Sequence, residues 1–121
     1  MKRVLVADDE ASLRMLIVDS LEDLNMEIEE ARDGKESLEK IEKEEYDLII
    51  LDYMMTGMTG VEVLEQLSED KKNRSVILML TAKAQEKDQM TAKKAGVDHF
   101  MTKPFSPMKL MEFVEEVCHD E

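Results

Sequence analysis

The chain has 121 residues, of which 43% are hydrophobic and 37% charged, a composition typical of one globular domain and not of a disordered segment. Its formal net charge of −13 argues against direct nucleic-acid binding, which normally requires a basic surface. No apolar run approaches the roughly 18 residues of a transmembrane helix, and the N-terminal apolar stretch is too short for a signal peptide. We therefore expect a monomeric, cytoplasmic protein with a single domain over residues 1–121 and no membrane contact.

Sulfur and imidazole ligands are scarce in this sequence. Cys118 is the only cysteine, which rules out an intrachain disulfide and a multi-cysteine metal site. The two histidines, His99 and His119, are too few and too far apart for a histidine-built zinc site. A metal site built mainly from cysteine or histidine is therefore not expected.

Strand and helix patterns alternate along the whole chain. Short apolar runs predict the strands, and stretches with helical spacing of apolar residues predict the helices. The alternation predicts an α/β fold with a doubly wound parallel sheet and helices on both faces. In chain order the predicted elements are strand 3–7, helix 11–24, strand 26–31 near an edge, helix 34–45, strand 46–52, helix 61–70, strand 75–82, helix 85–95, strand 97–102 and a last helix that Ser106 caps and Pro107 begins.

Polar side chains follow four of the five predicted strands, where each strand ends. In open parallel sheets, ligands bind outside these carboxyl ends, at the point where the strand order reverses. We therefore expect the polar groups to share one rim of the sheet. The residues at these strand ends are Asp8 and Asp9 after the first strand, Asp52 after the third, Thr81 and Ala82 after the fourth, and Lys103 and Pro104 after the fifth.

Three carboxylates in one crevice would repel one another, and a divalent cation relieves that repulsion. All-oxygen ligation favours Mg²⁺ or Mn²⁺. Lys103 offers a second cation for a phosphate oxygen, and Thr81 a hydroxyl, with space beside the small Ala82. This set suits phosphoryl transfer, with Asp52 as the nucleophile that forms an aspartyl phosphate.

The residues that carry these groups resemble the receiver domain of response regulators in two-component signalling. The resemblance extends over essentially the whole chain through "VLVADDE", "LIILDYMMTGMTG", "LMLTA" and "HFMTKPF". It implies a flavodoxin-like (βα)5 fold with strand order 2-1-3-4-5. It also implies a phosphoacceptor of a phosphorelay, which takes its phosphoryl group from a sensor histidine kinase and catalyses only its own phosphorylation and dephosphorylation.

The resemblance also assigns roles to single residues. Asp52 would be phosphorylated, and Mg²⁺ would be bound by Asp9 and Asp52, by the backbone carbonyl of Met54 and, largely through water, by Asp8. Lys103 would pair with the phosphoryl group, and its bond to Pro104 would be cis. Thr81 would swing toward the phosphate, and Phe100 would change rotamer with it.

Three positions depart from the family pattern. Position 56, often proline in this family, is Thr56 here, which predicts a loop with a freer backbone. Met54 and Lys83 occupy the positions that bear on how water reaches the phosphate. Since neither can act as a general base near neutral pH, we expect slow loss of the phosphoryl group.

Two surfaces are predicted to contact partners. Helix 11–24 has more apolar residues than one buried stripe needs, so we assign Ile17, Leu21 and Leu24 to the core, and Leu13 and Leu16 to kinase docking. A wide core contact is the alternative for these two leucines. Phosphorylation would change the surface formed by 82–101 and 106–118 and so alter the binding of a downstream protein. The alternative for 85–95 is a plain solvated helix with no such role.

Three other functions compete with this interpretation. A Mg²⁺-dependent phosphohydrolase of the haloacid-dehalogenase type needs a second acid where this chain has Met54. A flavin-binding module needs a loop rich in Ser, Thr and Gly after the first strand, where "DDEAS" stands. A receiver-like module that works without phosphorylation would not need the acids, Thr81 and Lys103. The sequence contains no output domain and suits either a stand-alone regulator or the receiver of a longer protein.

Overall fold

The fold, in a computed structural model that describes residues 1–82 and 86–118, is built on one five-stranded sheet. The strand order is β2-β1-β3-β4-β5, and every neighbouring pair is parallel. Both the predicted fold class and the strand order that the resemblance implies are therefore confirmed. The strands are β1 Arg3–Ala7, β2 Glu27–Ala31, β3 Leu48–Asp52, β4 Val76–Thr81 and β5 His99–Thr102.

Helices cover both faces of the sheet. The helices are α1 Ala11–Leu21, α2 Gly34–Lys43, α3 Gly60–Glu65, α4 Glu69–Asn73, α5 Glu86–Ala95 and α6 Pro107–Val117, with a 3-10 turn at Glu22–Leu24. Buried residues of α1 and α6 pack on one face, and those of α2, α3 and α5 pack on the other. This two-sided packing is the doubly wound arrangement.

The central strands contribute side chains to both cores. In β1, Val4 and Val6 pack under α1 and α6, while Leu5 and Ala7 face the opposite core. All five residues of β3 are buried. Burial on both faces explains why these strands appear in the sequence as continuous apolar runs. The partly polar β2 lies at an edge, as its sequence predicted.

The single helix predicted over 61–70 is wrong, because the structure divides it in two. Helix α3 ends at Glu65, and the Ser68 side chain accepts a hydrogen bond from the backbone N–H of Lys71 to start α4. Serine at this position supplies an acceptor for a helix N–H that has no partner within the helix. The apolar spacing continues across the break because Leu64 and Leu67 are both buried.

The first and last helices differ in how well their ends were predicted. Helix α1 gives way to the 3-10 turn, on which Leu24 is partly buried, whereas Ile17 and Leu21 are fully buried. Helix α6 begins as predicted, with the Ser106 side chain accepting from the N–H of Lys109. Within residues 1–82 and 86–118, no helix is both long and apolar enough to cross a membrane.

Candidate functional site

The predicted site residues meet at the carboxyl edge of the sheet. Asp8 directly follows β1, Asp52 ends β3, and Thr81 ends β4. Lys103 directly follows β5, and its backbone N–H donates to the carbonyl of Thr81 at 2.8 Å. Since neighbouring strands are parallel, residues far apart in the chain become neighbours here, such as Asp8 and Lys103, which are 95 positions apart.

Three carboxylates form a tight cluster at this edge. Asp8, Asp9 and Asp52 each have an oxygen within 4.8 Å of the others. Asp8 is fully buried and Asp52 only 4% exposed, whereas Asp9 faces solvent. The backbone N–H of Glu10 donates to Asp8 Oδ1 at 2.9 Å. Asp8 and Asp52 are thus held in the interior, and Asp9 lies on the solvent side of the cluster.

Among residues 1–82 and 86–118, Lys103 is the cation whose side chain contacts this cluster. Its Nζ lies 3.0 Å from Asp52 Oδ1 and 3.4 Å from Asp8 Oδ2. The peptide bond to Pro104 is cis. One lysine facing three carboxylates leaves an excess of negative charge in a largely buried crevice.

Burial and the neighbouring charges change the pKa of Asp52. Burial raises the pKa of its carboxyl to about 6, and the charge of Asp8 adds to the rise while Lys103 opposes it. Burial alone would lower the pKa of Lys103, but its hydrogen bond and charge contacts with Asp52 and Asp8 raise it overall. The lysine stays protonated, and Asp52 is ionised at neutral pH only at an energetic cost.

This titration predicts how the metal-free protein responds to pH. The folded state holds the Asp52 proton more tightly than the unfolded chain does, so this carboxyl's contribution to stability is lost as pH rises through about 6. We expect the free energy of unfolding of Asp52→Asn, measured in EDTA, to exceed that of wild type increasingly between about pH 4 and pH 7. The gain should reach at most about 3 kcal/mol. A difference that does not change with pH would contradict the pKa of Asp52.

The donor set fits a divalent cation with oxygen ligands. Three carboxylates with one ammonium leave the cluster short of positive charge, and hard oxygen ligands are those that Mg²⁺ prefers. Of the three acids, Asp9 is the one that solvent reaches. A cation arriving from that side would stabilise the ionised form of Asp52, which burial and the charge of Asp8 both disfavour.

The loop after β3 is fixed at both ends. The N–H of Tyr53 donates to Leu80 O at 2.8 Å, and the N–H of Gly60 donates to Tyr53 O at 2.8 Å. A Cβ at position 60 would lie 2.6 Å from the carbonyl oxygen of Asp52, so glycine permits this approach. Within the loop, Gly57 has a φ of +83°, and Met54 is 66% exposed.

Thr56 is the site residue whose contact the sequence did not predict. Its backbone N–H and its hydroxyl both donate to Asp9 Oδ2, at 3.0 and 2.8 Å. The absence of proline predicted a freer loop, but the middle of the loop is held to the acid cluster by these two hydrogen bonds. The sequence feature that could have indicated this contact is the hydroxyl residue at the position where the family often has proline.

The other predicted residues lie around the cluster. Thr81 is buried, Ala82 is exposed beside it, and Phe100 is partly buried against the core under α2, α3 and α5. Lys83, predicted to affect the lifetime of the phosphoprotein, lies outside the described residues.

A shallow apolar concavity of about 410 Å³ adjoins Lys103. Leu16 on its rim is 42% exposed, whereas Leu13 is partly buried. A wide core contact thus fails to account for Leu16 but does account for Leu13, which packs against the core under α1 and α6. The concavity is lined by Leu13, Leu16, Ala82, Lys103, Pro104 and Phe105.

Comparisons with known proteins agree with this geometry. A family model described as "Response regulator receiver domain" matches residues 4–115. The chain is 43% identical over 109 residues to the transcriptional regulatory protein ResD of Bacillus subtilis, covering 90% of this chain and 45% of that protein. It is 42% identical to PhoP, the alkaline phosphatase synthesis regulator of the same organism, over 96% of this chain and 48% of the relative. The chain thus spans about half the length of these curated relatives.

Two similar proteins of known structure match over nearly their whole length. The chemotaxis protein CheY4 of Vibrio cholerae superposes with a TM-score of 0.88 at 34% identity, covering 97% of this chain and 98% of that one. TrrA of Thermotoga maritima, solved in complex with Mg(2+)-BeF, gives a TM-score of 0.83 at 35% identity, over 97% and 99% of the two chains.

Proposed function

Because this chain belongs to the response regulator receiver family, we propose that Asp52 accepts a phosphoryl group from the phosphohistidine of a sensor histidine kinase. The observation that carries the proposal is the placement of Asp52: a nearly buried carboxylate at the end of β3, 3.0 Å from Lys103 and inside an acid cluster. A strand buried on both faces fixes the nucleophile, and Lys103 supplies charge beside it.

The transfer exchanges one bond to phosphorus for another. A carboxylate oxygen of Asp52 attacks the phosphorus, a P–O bond forms, and the P–N bond to the histidine breaks with its electron pair returning to the imidazole nitrogen. Lys103 donates hydrogen bonds to the phosphoryl oxygens, and the Thr81 hydroxyl and the backbone N–H of Ala82 approach them from the carboxyl end of β4. Positioning and charge neutralisation supply most of the rate.

Mg²⁺ is the proposed cofactor. Asp9, Asp52 and the backbone carbonyl of Met54 would hold it directly, and Asp8 through water. The bound ion supplies positive charge to the acid cluster and the phosphoryl oxygens. TrrA, a similar protein, was solved with Mg(2+)-BeF, which supports this assignment. A phosphohydrolase is disfavoured because exposed Met54 occupies the position of its general acid.

Phosphorylation would act by shifting the population of two existing arrangements of the chain. Thr81 moves toward the phosphoryl group, and Phe100, partly buried on the neighbouring strand, follows it. The affected surface is 82–101 together with 106–118, of which residues 83–85 are outside the described part. A downstream protein reads this surface.

Incubation with acetyl phosphate and Mg²⁺, followed by intact-mass measurement, tests the phosphoacceptor assignment. Wild type should gain the mass of one phosphoryl group, and Asp52→Asn should gain none, because its amide is not a comparable nucleophile. Asp19→Asn, which changes an exposed acid on α1 in the same way, should be modified like wild type. An adduct on Asp52→Asn, or none on wild type, would overturn the proposal.

A further inference from the structure

Thr56 makes the contact that distinguishes Asp9 from the other two acids. Asp8 is held inside the protein by Lys103 and the N–H of Glu10, and Asp52 by Lys103. Asp9 faces solvent, and within residues 1–82 and 86–118 its side chain receives hydrogen bonds from Thr56 alone. The position of this carboxylate therefore depends on one residue of the loop after β3.

We propose that Thr56 is a positioning residue for metal binding, which orients Asp9 and fastens the loop to the acid cluster. The inference rests on the proposed Mg²⁺ site. Both donors of Thr56 reach the same oxygen, Oδ2, and leave Oδ1 of Asp9 for a cation. Ligating carboxylates commonly depend on such outer hydrogen bonds for their orientation.

The same contact fixes a second proposed ligand. Thr56 lies two residues after Met54, and the hydrogen bonds of Tyr53 and Gly60 already hold the ends of the loop. The bonds to Asp9 hold its middle, next to Gly57, whose positive φ turns the chain. The carbonyl of Met54 and the carboxylate of Asp9 are thus positioned together, and two hydrogen bonds replace the backbone restraint that a proline would supply.

Calorimetric titration with MgCl₂ tests this role on the intact chain. Thr56→Val keeps the shape and the backbone N–H but loses the hydroxyl, so its Mg²⁺ affinity should fall about tenfold. Thr56→Ser restores the hydroxyl and should bind close to wild type. Thr91→Val makes the same change on α5 and should leave the affinity unaltered.

Hydrogen exchange without metal gives a second measurement. In EDTA, the amides of residues 54–58 should exchange faster in Thr56→Val than in wild type, while the free energy of unfolding stays within the range of the Thr91→Val control. Wild-type affinity or tighter binding in Thr56→Val, or failure of serine to restore binding, would overturn the role of Thr56 but not the phosphoacceptor assignment. Absence of Mg²⁺ binding by wild type would overturn the metal site itself.

Discussion

Replacing Lys103 with alanine should nearly abolish phosphorylation of Asp52 and leave Mg²⁺ binding intact. The Lys103 ammonium lies 3.0 Å from Asp52 Oδ1 and is mostly shielded from solvent, so its charge acts at close range. Loss of one such stabilising group typically costs about 100-fold or more in rate. Its removal also takes away a positive charge that contacts Asp8 and Asp52, and Mg²⁺ affinity should therefore stay the same or rise.

Asp9→Asn should instead weaken both Mg²⁺ binding and phosphorylation. It removes one charged ligand from the cluster, so Mg²⁺ affinity should fall by about tenfold or more, and phosphorylation should fall with it. Lys103 remains in place in this variant. Raising the Mg²⁺ concentration should therefore recover part of the rate in Asp9→Asn and none in Lys103→Ala.

The two effects are separated by measuring Mg²⁺ affinity by calorimetry and the phosphorylation rate with acetyl phosphate at several Mg²⁺ concentrations. Lys109→Ala, a change of an exposed lysine on α6, is the matched control and should behave like wild type. A wild-type phosphorylation rate in Lys103→Ala would remove the lysine from the mechanism. A wild-type rate in Asp9→Asn at low Mg²⁺ would remove Asp9 from the metal site.

The sequence predicted those parts of the site that strand order determines. Asp52 and Thr81 each follow an apolar run long enough to identify a strand, and parallel strands bring their carboxyl ends to one edge. Their place on a shared edge follows from the alternation of strands and helices, whereas the strand order that makes β3 and β4 neighbours was implied by the family resemblance. The partly polar β2 was likewise placed near an edge of the sheet, because a strand that is not covered on both faces need not be continuously apolar.

Features that depend on loop conformation were not predictable in this way. The contact between Thr56 and Asp9 joins two loops 47 positions apart, and no periodic pattern relates them. The break between α3 and α4 was missed because Leu64 and Leu67 keep helical spacing across it. The signal there was local: Ser68 followed by two acids, which favour the start of a helix.

The exposed apolar surface beside Lys103 predicts how the histidine kinase approaches. Leu16 is 42% exposed at the rim of the concavity, on the same helix as fully buried Ile17 and Leu21. A kinase that delivers its phosphohistidine to Asp52 must pass Lys103 and would cover this rim. A charge at position 16 would then lose its water in the complex without disturbing the core of the free protein.

Leu16→Glu should therefore slow phosphoryl transfer from a histidine kinase that phosphorylates the wild type, while phosphorylation by acetyl phosphate stays unchanged. Loss of an interface contact of this kind costs about 2 kcal/mol, which corresponds to roughly 30-fold slower transfer at limiting kinase. Met90→Glu places the same charge at an exposed methionine of α5, on the opposite face, and should transfer at the wild-type rate. Equal losses with both phosphodonors, or a large fall in the free energy of unfolding of Leu16→Glu, would show that Leu16 supports the fold and does not dock the kinase.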